Sequence, residues 1–132
     1  MQRFYLSSLV LFTLSLCLPL TGCGEKLQGF NGTVTYDGKP LEAGVIIFTP
    51  DATKGNLMGA SNIASIQNGR YTLPENQGIS GGWYEIRVES TEVTQGTGEG
   101  AEAVSKDLIP PYVFSHEFKP DDKTFDVDVP KR

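Results

Sequence analysis

Apolar and polar positions divide the chain into two unlike parts. From Phe4 to Leu20 the sequence is a Leu-rich apolar run relieved mainly by Ser and Thr. After Glu25 a period of two takes over. Phe30, Val34 and Tyr36 fall on one face of an alternating segment, the signature of a half-buried strand. Asp37-Gly38 is a turn dipeptide, and Lys39-Pro40-Leu41 leads out of it. Val45-Ile46-Ile47-Phe48 is apolar on both faces, which predicts a central strand ended by Pro50. Residues 59–66, rich in Ala and Ser, predict a weaker strand. Asn68-Gly69 marks a tight hairpin into Arg70-Tyr71-Thr72-Leu73.

Trp83 to Ser90 alternates most cleanly. Tyr84, Ile86 and Val88 face one way, and Trp83, Glu85, Arg87 and Glu89 the other. The last predicted strand is Thr124 to Val129, with Phe125, Val127 and Val129 inward and Asp126 and Asp128 outward. No segment beyond the apolar run carries a helical period. Short strands joined by Gly turns predict an all-β fold, an antiparallel two-sheet sandwich. Thr91 to Ile109 breaks the pattern, being rich in Gly, Thr and Glu and nearly free of large apolar residues. It predicts a long mobile surface loop.

The apolar run itself is a targeting segment. Arg3 is the only charge before Glu25, and the run ends in Leu20-Thr21-Gly22-Cys23. A positive start, an apolar core and small residues before a cleavage point describe a removed export signal helix. The run of about 17 residues is at the bottom of the spanning range. Leu20-Thr21-Gly22-Cys23 resembles the bacterial lipobox, in which the Cys takes a thioether-linked lipid. Residues 1–22 are thus predicted as a lipoprotein signal peptide, and Cys23 as the lipidation site and first mature residue. Gly24, rather than Asp, follows the cysteine; by resemblance to enterobacterial sorting this leans to the outer membrane. Residues 23–29 are the lipidated start and a short tether, and 30–132 the folded domain. Residues 24–29 reach roughly 20 Å when extended, at about 3.3 Å per residue. The domain is expected close to its membrane, on the periplasmic side or at the cell surface.

Composition narrows the chemistry. Without Arg3, ten basic residues face sixteen acidic ones, a mature net charge of −6. That argues against nucleic acid and against electrostatic docking on anionic lipid, so attachment falls to the acyl chains. The two cysteines are Cys17, which leaves with the signal, and Cys23. The mature fold therefore has no disulfide, Cys-based zinc or cysteine catalysis.

The order of segments resembles a known family. Gly32-Thr33-Val34-Thr35-Tyr36-Asp37-Gly38-Lys39-Pro40-Leu41 is followed by Gly44 and Ile46-Ile47-Phe48-Thr49-Pro50. Then come Asn68-Gly69-Arg70-Tyr71-Thr72-Leu73, Gly82-Trp83-Tyr84-Glu85-Ile86-Arg87-Val88, Ile109-Pro110-Pro111-Tyr112 and Thr124-Phe125-Asp126-Val127-Asp128-Val129. Together these are similar to the carboxypeptidase regulatory-like domain of small bacterial lipoproteins, across nearly all of residues 30–129. The resemblance implies a transthyretin-like or immunoglobulin-like sandwich of about seven strands. It also implies an accessory module, since such domains sit beside peptidases and are not peptidases themselves.

Candidate chemistry is sparse. His116 is the single histidine and stands in His116-Glu117-Phe118, without the partners a base or zinc ligand needs. Asp121, Asp122, Asp126 and Asp128 lack the spacing of a calcium loop and read as a solvated face. No serine stands in Gly-x-Ser-x-Gly. Gly78-Ile79-Ser80-Gly81-Gly82 precedes a strand, so it lacks the helix terminus of a phosphate cradle. Trp83 on the polar face could stack on a sugar or anchor a protein, or it could simply cover the sandwich. Tyr112 after Pro110-Pro111 is a second candidate aromatic.

The expectation is a non-enzymatic, lipid-anchored binding or accessory module with no cofactor and no metal. Its partners would be the membrane, through Cys23, and another envelope component, protein or polysaccharide, but not nucleic acid. The alternatives are a carbohydrate-binding module using Trp83 and a purely structural envelope protein.

Overall fold

The computed structural model describes residues 26–94 and 104–131. The predicted signal segment 1–22 and Cys23 lie outside the described residues. The strands are β1 (Phe30–Tyr36), β2 (Lys39–Pro40), β3 (Ala43–Pro50), β4 (Asn62–Gln67), β5 (Arg70–Leu73), β6 (Gly82–Thr94), β7 (Val104–Phe118) and β8 (Val127–Val129). They pair in the order β2-β1-β5-β4-β3-β6-β7, with β8 on β1. The helical pieces among the described residues are two short 3-10 turns, Ala52–Lys54 and Glu75–Gln77. The fold is all-β and mostly antiparallel. The exception is β8, which runs parallel to β1 through Val34↔Val127 and Tyr36↔Val129. The antiparallel expectation is corrected there for a topological reason. The chain leaves β7 at Phe118, at the end where β1 starts, so it can only run alongside β1 in the same direction.

Both Gly turns form as the dipeptides predict. Asp37 and Gly38 have φ of 52° and 73°, and Asn68 and Gly69 have 50° and 71°. Two successive positive φ values match the right-handed twist of the flanking strands. The turns thereby set Tyr36 against Lys39 and Gln67 against Arg70.

The alternation read from the sequence sorts the core. Ile46 and Phe48 of β3 and Tyr84, Ile86 and Val88 of β6 are fully buried. Ala64 and Ile66 of β4 and Tyr71 and Leu73 of β5 join them. Each large apolar side chain contributes about 1.5–3 kcal/mol by leaving water. The sheet curls so far that strands distant in the pairing order touch: the Phe30 ring of β1 stacks on Phe118 of β7 at 5.2 Å. Phe48 and Tyr84 close on Phe118 edge-first, at 6.0 and 5.8 Å.

The C-terminal segment seals this seam. Phe125 sits 4.9 Å from Phe118, and the Tyr71 hydroxyl donates to the Phe125 carbonyl at 2.7 Å. Burial first, and the Asp126 charge second, push that hydroxyl far above the ordinary phenol range, so it stays a donor. Gly32 makes the crossing possible, because a Cβ there would stand 1.7 Å from the Phe125 oxygen.

The expected loop over residues 91–109 is the main correction. Strand pairing continues to Thr94 on β6 and resumes at Val104 on β7, with Thr91↔Asp107, Glu92↔Lys106 and Thr94↔Val104 in register. Only residues 95–103 of that span lie outside the described residues. Among the described residues no third strand pairs with this part of β6, in keeping with its polar sequence. Its neighbour β3 begins at Ala43, whose carbonyl accepts from the Ser90 hydroxyl. Two register shifts, between Val88 and Ser90 and between Ser90 and Thr91, place extra residues on β7 around Pro110-Pro111. A bulged edge strand is where prolines, lacking an N–H, are tolerated.

Candidate functional site

Trp83 begins the outer face of β6. The strand register sets Trp83 against Glu117, Glu85 against Ser115 and Arg87 against Val113, so all six share the face turned away from the core. The indole is half-buried, with the Lys54 ammonium 4.1 Å from the ring centroid. An exposed contact of this kind stabilises by about 0.5–1 kcal/mol. Lys54 is brought there by the 3-10 turn Ala52–Lys54, capped by Asp51, whose carboxylate accepts from the Thr53 amide at 3.1 Å and hydroxyl at 2.5 Å. That hydroxyl, above all, holds the Asp51 carboxyl below the usual range; the Ser115 hydroxyl, 3.1 Å away, adds to it.

Tyr112 does not join Trp83. It pairs with Val88 and therefore faces the core side of the sheet. It is half-buried, packed against the core with its ring 5.2 Å from Phe114. The two aromatics are on opposite faces of one hairpin and cannot form one stacking platform. The sequence carried the signal for this. Tyr112, Phe114, His116 and Phe118 alternate strictly with Val113, Ser115 and Glu117, a period-two strand hidden behind two prolines.

His116 belongs to that row. Its ring sits 4.7 Å from Phe118 and 4.5 Å from Phe125, in an aromatic setting rather than beside a nucleophile. The acidic residues are used separately. Asp122 accepts from the Lys119 amide at 2.8 Å within its own turn. Asp126 accepts from the Thr33 amide at 2.7 Å and hydroxyl at 2.8 Å, and Asp128 from the Thr35 hydroxyl at 2.5 Å. The Thr33 amide, then its hydroxyl, hold the Asp126 carboxyl below its ordinary range. Asp126 and Asp128 lie on an exposed face, as expected, and their bonds to Thr33 and Thr35 also pin the C-terminal segment to β1. Among the described residues no three His, Cys, Asp or Glu side chains gather as a metal set.

The surface feature missed by sequence reasoning is a cleft between β4 and β5. These strands pair only at Gln67↔Arg70. Beyond the turn they diverge, β4 to β3 and β5 to β1. Ile63, Ser65 and Gln67 line one side, and Arg70 and Thr72 the other. The cleft continues over Asn31 and Thr33 to Asp126.

No family model, curated protein or solved structure matches the chain. Its chemistry therefore has to be read from these surfaces. The described residues offer strand edges and mixed polar side chains for binding.

Proposed function

We propose that the chain is a lipoprotein precursor whose mature domain is a non-enzymatic binding or accessory module, tethered by lipid on Cys23 to the bacterial envelope. The observation that carries this reading is Leu20-Thr21-Gly22-Cys23 at the end of the apolar run. The small residues give a peptidase access to the backbone, and the thiol accepts the lipid.

The carboxypeptidase regulatory-like reading, with its transthyretin-like sandwich, is part of the proposal. How the strands group supports it. β4, β3, β6 and β7 pair as one set, β5, β1, β2 and β8 as another, and the Gln67↔Arg70 hairpin is the link between them. The divergence of β4 and β5 also favours a protein partner over a polysaccharide. Strand edges offer main-chain groups to an extended peptide, whereas among the described residues of β6 and β7 Trp83 has no second aromatic on its face.

The test is mass analysis of the mature N-terminus in a bacterial host, followed by partner recovery. Acylated Cys23, with the protein in the detergent phase and Cys23→Ala in the aqueous phase, is the expected result. An unmodified or uncleaved N-terminus overturns the tether. A photoreactive residue at Thr72 is expected to trap one dominant protein, lost in the Cys23→Ala form. Recovery of envelope polysaccharide instead, abolished by Trp83→Ala, would favour the carbohydrate reading.

A further inference from the structure

The end of the domain from which the tether leaves carries the two most exposed large apolar side chains among the described residues, Leu57 and Met58. Strands β1, β4 and β6 start there and β3, β5 and β7 finish there, as the partners Phe30↔Leu73, Phe48↔Asn62, Pro50↔Tyr84 and Gly82↔Phe118 require. Its rim consists of residues 26–29, 51–61, 74–81 and 119–123. Gln28 is fastened into it: its amide donates to the Ile79 carbonyl at 2.9 Å and its side chain to the Lys119 carbonyl at 2.8 Å.

Leu57 and Met58 stand on this rim, 75 % and 84 % exposed, and Leu27 on the tether is 38 % exposed. The loop is held in place rather than collapsed on the core. The Asn56 side chain donates to the Trp83 carbonyl at 2.9 Å and accepts from the Gly59 amide at 3.2 Å. Charge on the rim is balanced. Among the described rim residues, Lys26, Lys54, Lys119 and Lys123 equal Asp51, Glu75, Asp121 and Asp122 in number, although the mature chain is acidic. This end can approach a bilayer without the repulsion the rest of the surface would meet.

We infer that Leu57 and Met58 enter the headgroup boundary of the membrane that holds the Cys23 lipid, so that the domain stands end-on with the β6–β7 ribbon pointing outward. The inference rests on the lipid anchor proposed above. The five residue-to-residue steps from Cys23 to Gln28 reach at most roughly 17 Å, and a strand of this fold puts the opposite end roughly 25 Å further away. Two apolar side chains bind a bilayer only marginally by themselves; beside an anchor they set orientation.

The test uses the mature lipoprotein with Trp83→Phe, so that one indole is added back by Met58→Trp or, at the far end, by Lys39→Trp. Both positions are exposed, and circular dichroism and thermal melting check that each variant is folded. The protein is placed in phosphatidylcholine vesicles containing chain-brominated phosphatidylcholine. The Met58→Trp indole is expected to shift blue and lose most of its emission, and the Lys39→Trp indole to do neither. Equal quenching of both, or of neither, overturns the inference. So does a blue shift at position 58 that depends on protein concentration and not on bromine, which would mark a second copy of the chain as the occupant. Mass analysis of the same sample reads acylation of Cys23. If the anchor reading fails there, coupling the Cys23 thiol to a maleimide lipid still puts the end-on geometry to the same quenching test.

Discussion

Strands β6 and β7 make one hairpin whose two halves live in different surroundings. From Gly82 to Ser90, β6 lies between β3 and β7, and Tyr84, Ile86 and Val88 are fully buried. From Thr91 to Thr94 it pairs, among the described residues, with β7 alone. The hydrogen-bonded ladder is common to both halves, so the ladder does not explain the difference. An isolated two-stranded ribbon is marginal in water, and a covered apolar face is what gives strands independent stability. The lower half has that face, sealed by Phe118, Phe30 and Phe125; the upper half is carried by it.

The largest effect is expected where that face is densest. Tyr84 meets Phe118 edge-on at 5.8 Å and shares a 3.2 Å hydrogen bond with Ser80. Tyr84→Ala removes both and leaves a cavity, at a cost of about 3–5 kcal/mol. Domains of this size hold about 5–15 kcal/mol in total, so the urea midpoint should fall by about a fifth or more. A loss below about 1 kcal/mol would mean that the core does not close on β6.

A smaller effect tests the seal over the lower half. Asp126 accepts two hydrogen bonds from Thr33 and so holds Phe125 over Phe118 and His116. Its carboxyl is depressed below the ordinary 3.8, chiefly by the Thr33 amide. A group depressed in the folded state adds stability above its unfolded value, and that stability is lost as pH falls through the lower folded value. The carboxylate is exposed, so Asp126→Ala should cost only about 1 kcal/mol at pH 7. The gap between variant and parent should narrow below about pH 4. A gap unchanged from neutral pH to pH 3 would show that the ionised carboxylate plays no part.

Legibility in the sequence followed the same division. Where one face is covered, the period of two was plain, and β1, β3, β5 and the lower half of β6 could be placed from side chains alone. Both hairpin turns could be placed as well, since Asp-Gly and Asn-Gly supply the two positive φ values. The ribbon could not, because Thr91–Thr94 and Val104–Asp107 carry no apolar alternation. The lower half of β7 was hidden for another reason: Pro110-Pro111 suggests a break, whereas bulges on an edge strand absorb both prolines. With that strand unread, Tyr112 could not be assigned to the face opposite Trp83. The Asp126 and Asp128 bonds to Thr33 and Thr35 were invisible because they depend on β8 running parallel to β1.

The smallest expected effect bears most directly on the comparison. Residues 93–105 can be replaced by Asn-Gly, joining Glu92 to Lys106, which already oppose each other in register. The new turn has the chemistry that closes β4 onto β5 at Asn68-Gly69. If the ribbon is carried by the lower half, stability should change by less than about 0.5 kcal/mol, with a slight gain possible from the shorter loop. Hydrogen exchange on the parent protein should agree, with the amides of Thr91–Thr94 opening far more readily than those of Tyr84–Val88. A loss of about 2 kcal/mol or more would place the ribbon inside the cooperative unit, and pairing rather than coverage would then hold the hairpin. A neutral result would leave the ribbon free for another use, at the end of the domain opposite Leu57 and Met58.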